Sequence, residues 1–104
     1  MVIGDRHGTS AASWLSAEAA RISREAGFRT ALNDPYAGGA IVTRHGLPAS
    51  GVHAIQLEID RSTYLSRDGR TPGAGLDRIA AFLETLANSL GEAVISRSIK
   101  DAAE

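Results

Sequence analysis

Apolar residues return at helical spacing over two stretches of this chain and alternate at strand spacing over a third. Across 14–26, Leu15, Ala19, Ile22 and Ala26 recur every three or four residues, which predicts a helix with one apolar face. Glu18, Arg21 and Glu25 fall on another face at pairing distance and give it modest ion-pair support. Ser13 is placed to cap the start of this helix and Gly27 its end. Leu76, Ile79, Leu83, Leu86 and Leu90 form a second stripe, with Asp77, Arg78, Glu84 and Asn88 on its wet side. That stripe reads as core or interface. Thr71 and Pro72 suit the cap and first position of this helix. Beyond Gly91 the pattern weakens, and 101–104 is expected to fray. The clearest strand is 52–59, where Ile55, Leu57 and Ile59 face one way and Gln56, Glu58 and Asp60 the other.

Shorter elements fill the gaps. Residues 1–4 and 28–32 fit short strands, and 40–45 fits one or two helical turns ended by Gly46 and Pro48. Pro35 disfavours helix at Asp34, and Gly38-Gly39 permits unusual dihedrals, so 33–39 reads as a loop. Strand, helix, strand, strand, helix is an α/β order, and a helix between strands favours parallel pairing. A mostly parallel sheet with flanking helices follows, with ligand sites beyond the strands' carboxyl ends.

The chain has 104 residues, the size of one domain, here 1–104. It is 43% hydrophobic and 22% charged, a composition that folds rather than stays disordered. Eleven basic against twelve acidic residues leave a formal net charge of -1, so no broad field draws in nucleic acid or an anionic membrane. Cysteine is absent, which removes disulfides and thiolate metal sites. No apolar run approaches the roughly 20 residues that span a bilayer. The amino terminus lacks the basic head and apolar core of a secretory signal. A soluble, cytoplasmic domain is the expectation. A chain this short buries only about two-thirds of its unfolded surface, so docking against another body would matter to its stability.

Among residues that carry chemistry, Glu58 stands out, since it interrupts a strand built from Ile55, Leu57 and Ile59 with Gln56 beside it. On a covered face its charged form would be disfavoured, which is the material of a general acid/base. On a solvated face it would instead pair with the nearby Arg61. His7, His45 and His53 lie in three separate segments without the i, i+4 pairing of a metal helix, so a structural role is favoured for each. The loop 33–39 could cradle an anion with backbone N–H groups, or its double glycine could simply serve a tight turn. Phosphate-loop and dinucleotide fingerprints are absent. Arg6 and Arg61 could each clamp a carboxylate, or each make a surface ion pair.

Three segments taken together, Gly4-Asp5-Arg6-His7-Gly8-Thr9-Ser10, Asn33-Asp34-Pro35-Tyr36-Ala37-Gly38-Gly39 and the stretch from His53 to Tyr64, resemble in that order the carboxy-terminal part of the N-formylglutamate amidohydrolase family. The resemblance runs from about Val2 to Leu90. It implies part of a zinc-carboxypeptidase-like (phosphorylase/hydrolase-like) α/β fold and a hydrolase that splits N-formyl-L-glutamate into formate and glutamate in histidine breakdown. It implies Glu58 as the catalytic proton shuttle beside a zinc-activated water, and Arg6, Asn33, Tyr36 and Arg61 as lining for the substrate. His7 and His45 stand where the family commonly has an aromatic residue, and neither is taken as a ligand. The family's histidine-containing metal segments lie upstream of the Gly-Asp-Arg motif, so zinc is expected to find its ligands outside this chain. Two alternatives follow: an incomplete, catalytically silent domain that works only by association, with itself or with a missing amino-terminal part, or a hydrolase of another N-acyl amino acid.

Overall fold

The structure, a computed structural model, describes residues 1–103. Strand β1 (Val2–Gly4) lies in the middle of a three-stranded sheet, between β2 (Ala31–Leu32) and β3 (Gln56–Glu58). Helix α1 (Ser13–Glu25) carries the chain from β1 to β2, and these two strands pair in parallel, Val2 with Ala31 and Ile3 with Leu32. Strand β3 runs antiparallel to β1, with Val2 opposite Glu58, Ile3 opposite Leu57 and Gly4 opposite Gln56. The expected mostly parallel sheet is therefore a mixed one.

The cause is the path between β2 and β3. After β2 the chain stays near the carboxyl end of β1: the Arg6 N–H donates to the Ala37 carbonyl at 2.8 Å, and the Ala54 N–H to the Ser10 carbonyl at 2.9 Å. The short helix α2 (Ala40–His45) turns at that same end, where Gly46 lies so close to Ser10 that an added Cβ would stand 2.4 Å from the Ser10 oxygen. Because no crossover carries the chain back to the other end of the sheet, β3 must run in the opposite direction. It is also shorter than the alternation over 52–59 suggests.

Helix α1 forms where its apolar spacing predicts. Its carboxyl end closes with the paired bonds of a Schellman motif, the Phe28 N–H to the Ser23 carbonyl and the Gly27 N–H to the Arg24 carbonyl, both 3.0 Å. Gly27 adopts φ +95°, which explains the glycine. The amino end differs from expectation. Ala12, not Ser13, holds the cap position and caps nothing with its side chain, while its N–H donates to His53 Nδ1 at 3.1 Å. On the exposed side Arg21 pairs with both Glu18 and Glu25.

Helix α3 (Leu76–Ala103) is longer than its stripe suggests. Its first half buries Ile79, Phe82 and Leu86, while Leu76, Ile95 and Ile99 are exposed. Residues 101–103 are helical rather than frayed, and Glu104 lies outside the described residues. Thr71 and Pro72 do not start this helix. Pro72 bridges to Leu65, and the Thr71 hydroxyl and N–H both donate to Asp68. These bonds, with one from the Arg70 N–H, hold the exposed Asp68 carboxyl down at about 2.

The core joins β1 to both long helices through Ile3, Ala19, Ala20, Phe82 and Leu86, with Phe28 and Phe82 tilted together at 4.7 Å between ring centroids. Small residues on the inner face of α1 let it lie close to the sheet. Among the described residues no helix is long and apolar enough to cross a membrane.

Candidate functional site

The carboxyl end of β1 is organised by Asp5, which is only 5% exposed. Its Oδ1 accepts from the Gly8 N–H and from Asn33 Nδ2, each at 2.8 Å, and its Oδ2 accepts from the Ser16 hydroxyl at 2.7 Å. Burial by itself would raise this carboxyl; the bonds from Ser16, Asn33 and Gly8 outweigh it and hold Asp5 below its ordinary value. Asn33 Oδ1 in turn accepts from the backbone N–H of Asp5 at 2.9 Å and of His7 at 3.3 Å. Arg6, His7 and Asn33 all adopt positive φ, between 53° and 64°. That conformation is uncommon for side chains of this size, and the Asp5–Asn33 bonds hold it in place.

The loop 33–39 is pinned to this end from two more directions. Arg6 donates from Nη1 to the Gly38 carbonyl at 3.1 Å. On the other side the Gly39 N–H donates to Gln56 Oε1 at 3.1 Å, and Gln56 Nε2 donates to Glu58 Oε1 at 2.9 Å. Gly4 makes the packing possible, because a Cβ there would stand 2.6 Å from the Ala37 carbonyl carbon.

Of the residues singled out in the sequence, the structure gathers Tyr36, Glu58 and Arg61. They line one hollow of about 330 Å³ with Met1, Val2, Ile59 and Asp60. Glu58 is exposed, and its partner is Gln56 rather than Arg61. Among the described residues Arg61 enters no ion pair. Neighbouring Asp60 is engaged by the N–H and hydroxyl of Ser62, which lower its carboxyl and keep it on its own turn. Arg6 and Asn33 do not line this hollow. Both are used in shaping the loop that presents Tyr36. On the far side of Glu58 and Ile59 lies an apolar groove of about 420 Å³ between β3 and α3, lined by Leu57, Tyr64, Leu76, Ile79 and Leu83.

The histidines remain apart. His7 and His45 are exposed, while His53 uses Nδ1 to accept from Ala12 and sets its ring edge-on to Trp14 at 5.7 Å. Among the described residues no three His, Asp or Glu side chains come together where they would hold one metal ion. The residues present do not fit a zinc centre.

Asp5 and Gln56 are the residues that sequence reasoning passed over as site residues. The signal for Asp5 was a carboxylate directly after a strand, three residues before a glycine, a pattern that closes a turn on its own side chain. For Gln56 it was the two-residue spacing from Glu58.

The N-formylglutamate amidohydrolase family matches residues 1–65, a stretch holding Arg6, Asn33, Tyr36, Glu58 and Arg61. The N-formylglutamate deformylase of Pseudomonas putida is 36% identical over 64 residues, which is 61% of this chain and 24% of the relative. The crystal structure of N-formylglutamate amidohydrolase from Ralstonia eutropha JMP134 is similar with a TM-score of 0.83 and 33% identity, over 91% of this chain and 34% of that one. The chain thus spans between 24% and 34% of the length of these relatives.

Proposed function

This chain belongs to the N-formylglutamate amidohydrolase family, and we propose that it supplies the proton-transfer and carboxylate-binding wall of a site that hydrolyses the formamide of N-formyl-L-glutamate. The observation that carries this reading is the meeting of Tyr36, from the loop 33–39, with Glu58 and Arg61, from the stretch 53–64, on one hollow.

Each side chain has a task that its surroundings allow. Glu58 faces solvent with one oxygen steadied by Gln56, so as a carboxylate it can take a proton from an attacking water and return it to the departing nitrogen. Water oxygen joins the formyl carbon, the C–N bond breaks, and formate and glutamate leave. Arg61 offers a planar guanidinium to a substrate carboxylate. Tyr36, more than half exposed, places a phenol at the mouth of the same hollow. Zinc, which the family resemblance implies, finds no ligand set among the described residues, so the proposed chemistry is confined to what these side chains do.

A second reading draws on the bare apolar groove beside Glu58 and on the fraction of its relatives that the chain spans. In that reading the domain is silent alone and works by association. Formate release from a panel of N-acyl amino acids, with zinc supplied, separates the two. Turnover that is lost in Glu58→Gln supports the hydrolase, and a preference for a different acyl group would change the substrate but not the chemistry. No release from any member of the panel supports the silent domain.

A further inference from the structure

We propose that Gln56 is a positioning residue for Glu58 and couples the state of that carboxylate to the glycine loop at 38–39. Strand periodicity puts the two side chains on one face of β3, two residues apart, and their amide and carboxylate meet at 2.9 Å. The other end of the same amide accepts from the Gly39 N–H at 3.1 Å. Chemistry fixes which way the amide points. A carboxylate can only accept and a backbone N–H can only donate, so the NH₂ must face Glu58 and the oxygen must face Gly39. Among the described residues Gln56 thus hydrogen-bonds both the proposed proton carrier and the loop that presents Tyr36.

The two bonds polarise one another. A charged Glu58 strengthens the pull on the amide and so strengthens the acceptor that Gly39 meets. Protonation of Glu58 weakens both together. Arg6 grips the adjacent Gly38 carbonyl from the opposite side, so the loop is held between a fixed clasp and one that responds to charge. Among the described residues, the charged and titratable groups around Glu58 are Tyr36 from the loop, Asp60 and Arg61 following β3, and Tyr64 in the neighbouring groove, while the amino group of Met1, which lines the same hollow, donates to the Arg29 carbonyl. None of these bridges to Gly39 as Gln56 does.

The kinetic consequence rests on the reading of Glu58 as the proton carrier; the coupling itself does not. In an enzyme assay Gln56→Leu lowers kcat about three- to tenfold with KM little changed, the effect of removing one ordinary side-chain hydrogen bond. The deciding test needs no turnover. In ¹H–¹⁵N spectra of the labelled chain followed from about pH 3 to 7, the Gln56 side-chain NH₂ and the Gly39 amide move with one shared midpoint. That midpoint disappears from both signals in Glu58→Gln, and from Gly39 in Gln56→Leu. If Gln56→Leu does not fold, the Glu58→Gln spectra decide alone. A Gly39 amide indifferent to pH, or one that keeps its response in either variant, overturns the proposal. Absence of formate release alongside a shared midpoint would defeat the hydrolase reading and leave the coupling standing.

Discussion

Asp5 and Asn33 hold each other through two reciprocal bonds, the Asp5 N–H to Asn33 Oδ1 at 2.9 Å and Asn33 Nδ2 to Asp5 Oδ1 at 2.8 Å. The pair ties the end of β1 to the end of β2 and fixes the loop on which Tyr36 sits. Asn33 has φ 64°, a conformation asparagine tolerates better than larger side chains. Asn33→Leu would lose both bonds and add backbone strain, and is expected to destabilise the chain by about 2–4 kcal/mol. Asn33→Gly would lose only the bonds and cost less. Urea unfolding of the two variants checks the order.

Acid sensitivity follows from the other half of that pair. Asp5 titrates below its ordinary 3.8 in the folded chain, so the unfolded chain binds its proton more readily. Its contribution is complete above the unfolded value and is lost as pH falls through the folded one. The urea midpoint is expected to drop as pH is lowered below about 4. In Asp5→Asn, which starts from a lower midpoint, that part of the drop should be missing. Parallel curves for the two proteins would remove Asp5 as a cause.

Core and surface positions of α3 should separate sharply. Leu86 is 3% exposed and Ile99 67%. Leu86→Ala is expected to cost about 2–5 kcal/mol through lost burial and a cavity, while Ile99→Ala should stay within about 0.5 kcal/mol. Thermal melts of both variants test this.

Gly4→Ala tests the loop's close seat on β1. The added methyl would stand 2.6 Å from both the carbon and the oxygen of the Ala37 carbonyl, which is backbone and cannot swing aside. The loop must shift, and a loss of about 1–3 kcal/mol is expected. Amide exchange should quicken at Arg6, whose N–H donates to Ala37.

Much of this architecture is written locally. The spacing of Leu15, Ala19 and Ile22 specifies α1, and Gly27 its end, because both depend on residues within a few positions of one another. The direction of β3 was not legible, since it depends on where 33–54 travels, and that path is set by long-range bonds such as Ala54 to Ser10. Thr71 and Pro72 do not open α3 because Asp68 draws the Thr71 N–H and hydroxyl into its own turn and Pro72 pairs across to Leu65. In the site, motif positions named Tyr36, Glu58 and Arg61 together, but they could not separate these from Asn33, whose amide is taken up by Asp5 and the backbone, or from Arg6, which binds the Gly38 carbonyl. Asp5 escaped notice because a single buried carboxylate has no periodicity to announce it.

The most direct measurement of the central claim is a titration of N-formyl-L-glutamate, with zinc present, into the ¹⁵N-labelled chain. Shifts are expected to gather around Val2, Tyr36, Glu58 and Arg61, and to be lost in Arg61→Gln with the fold intact. Shifts that survive that substitution, shifts centred elsewhere, or none at all would contradict it.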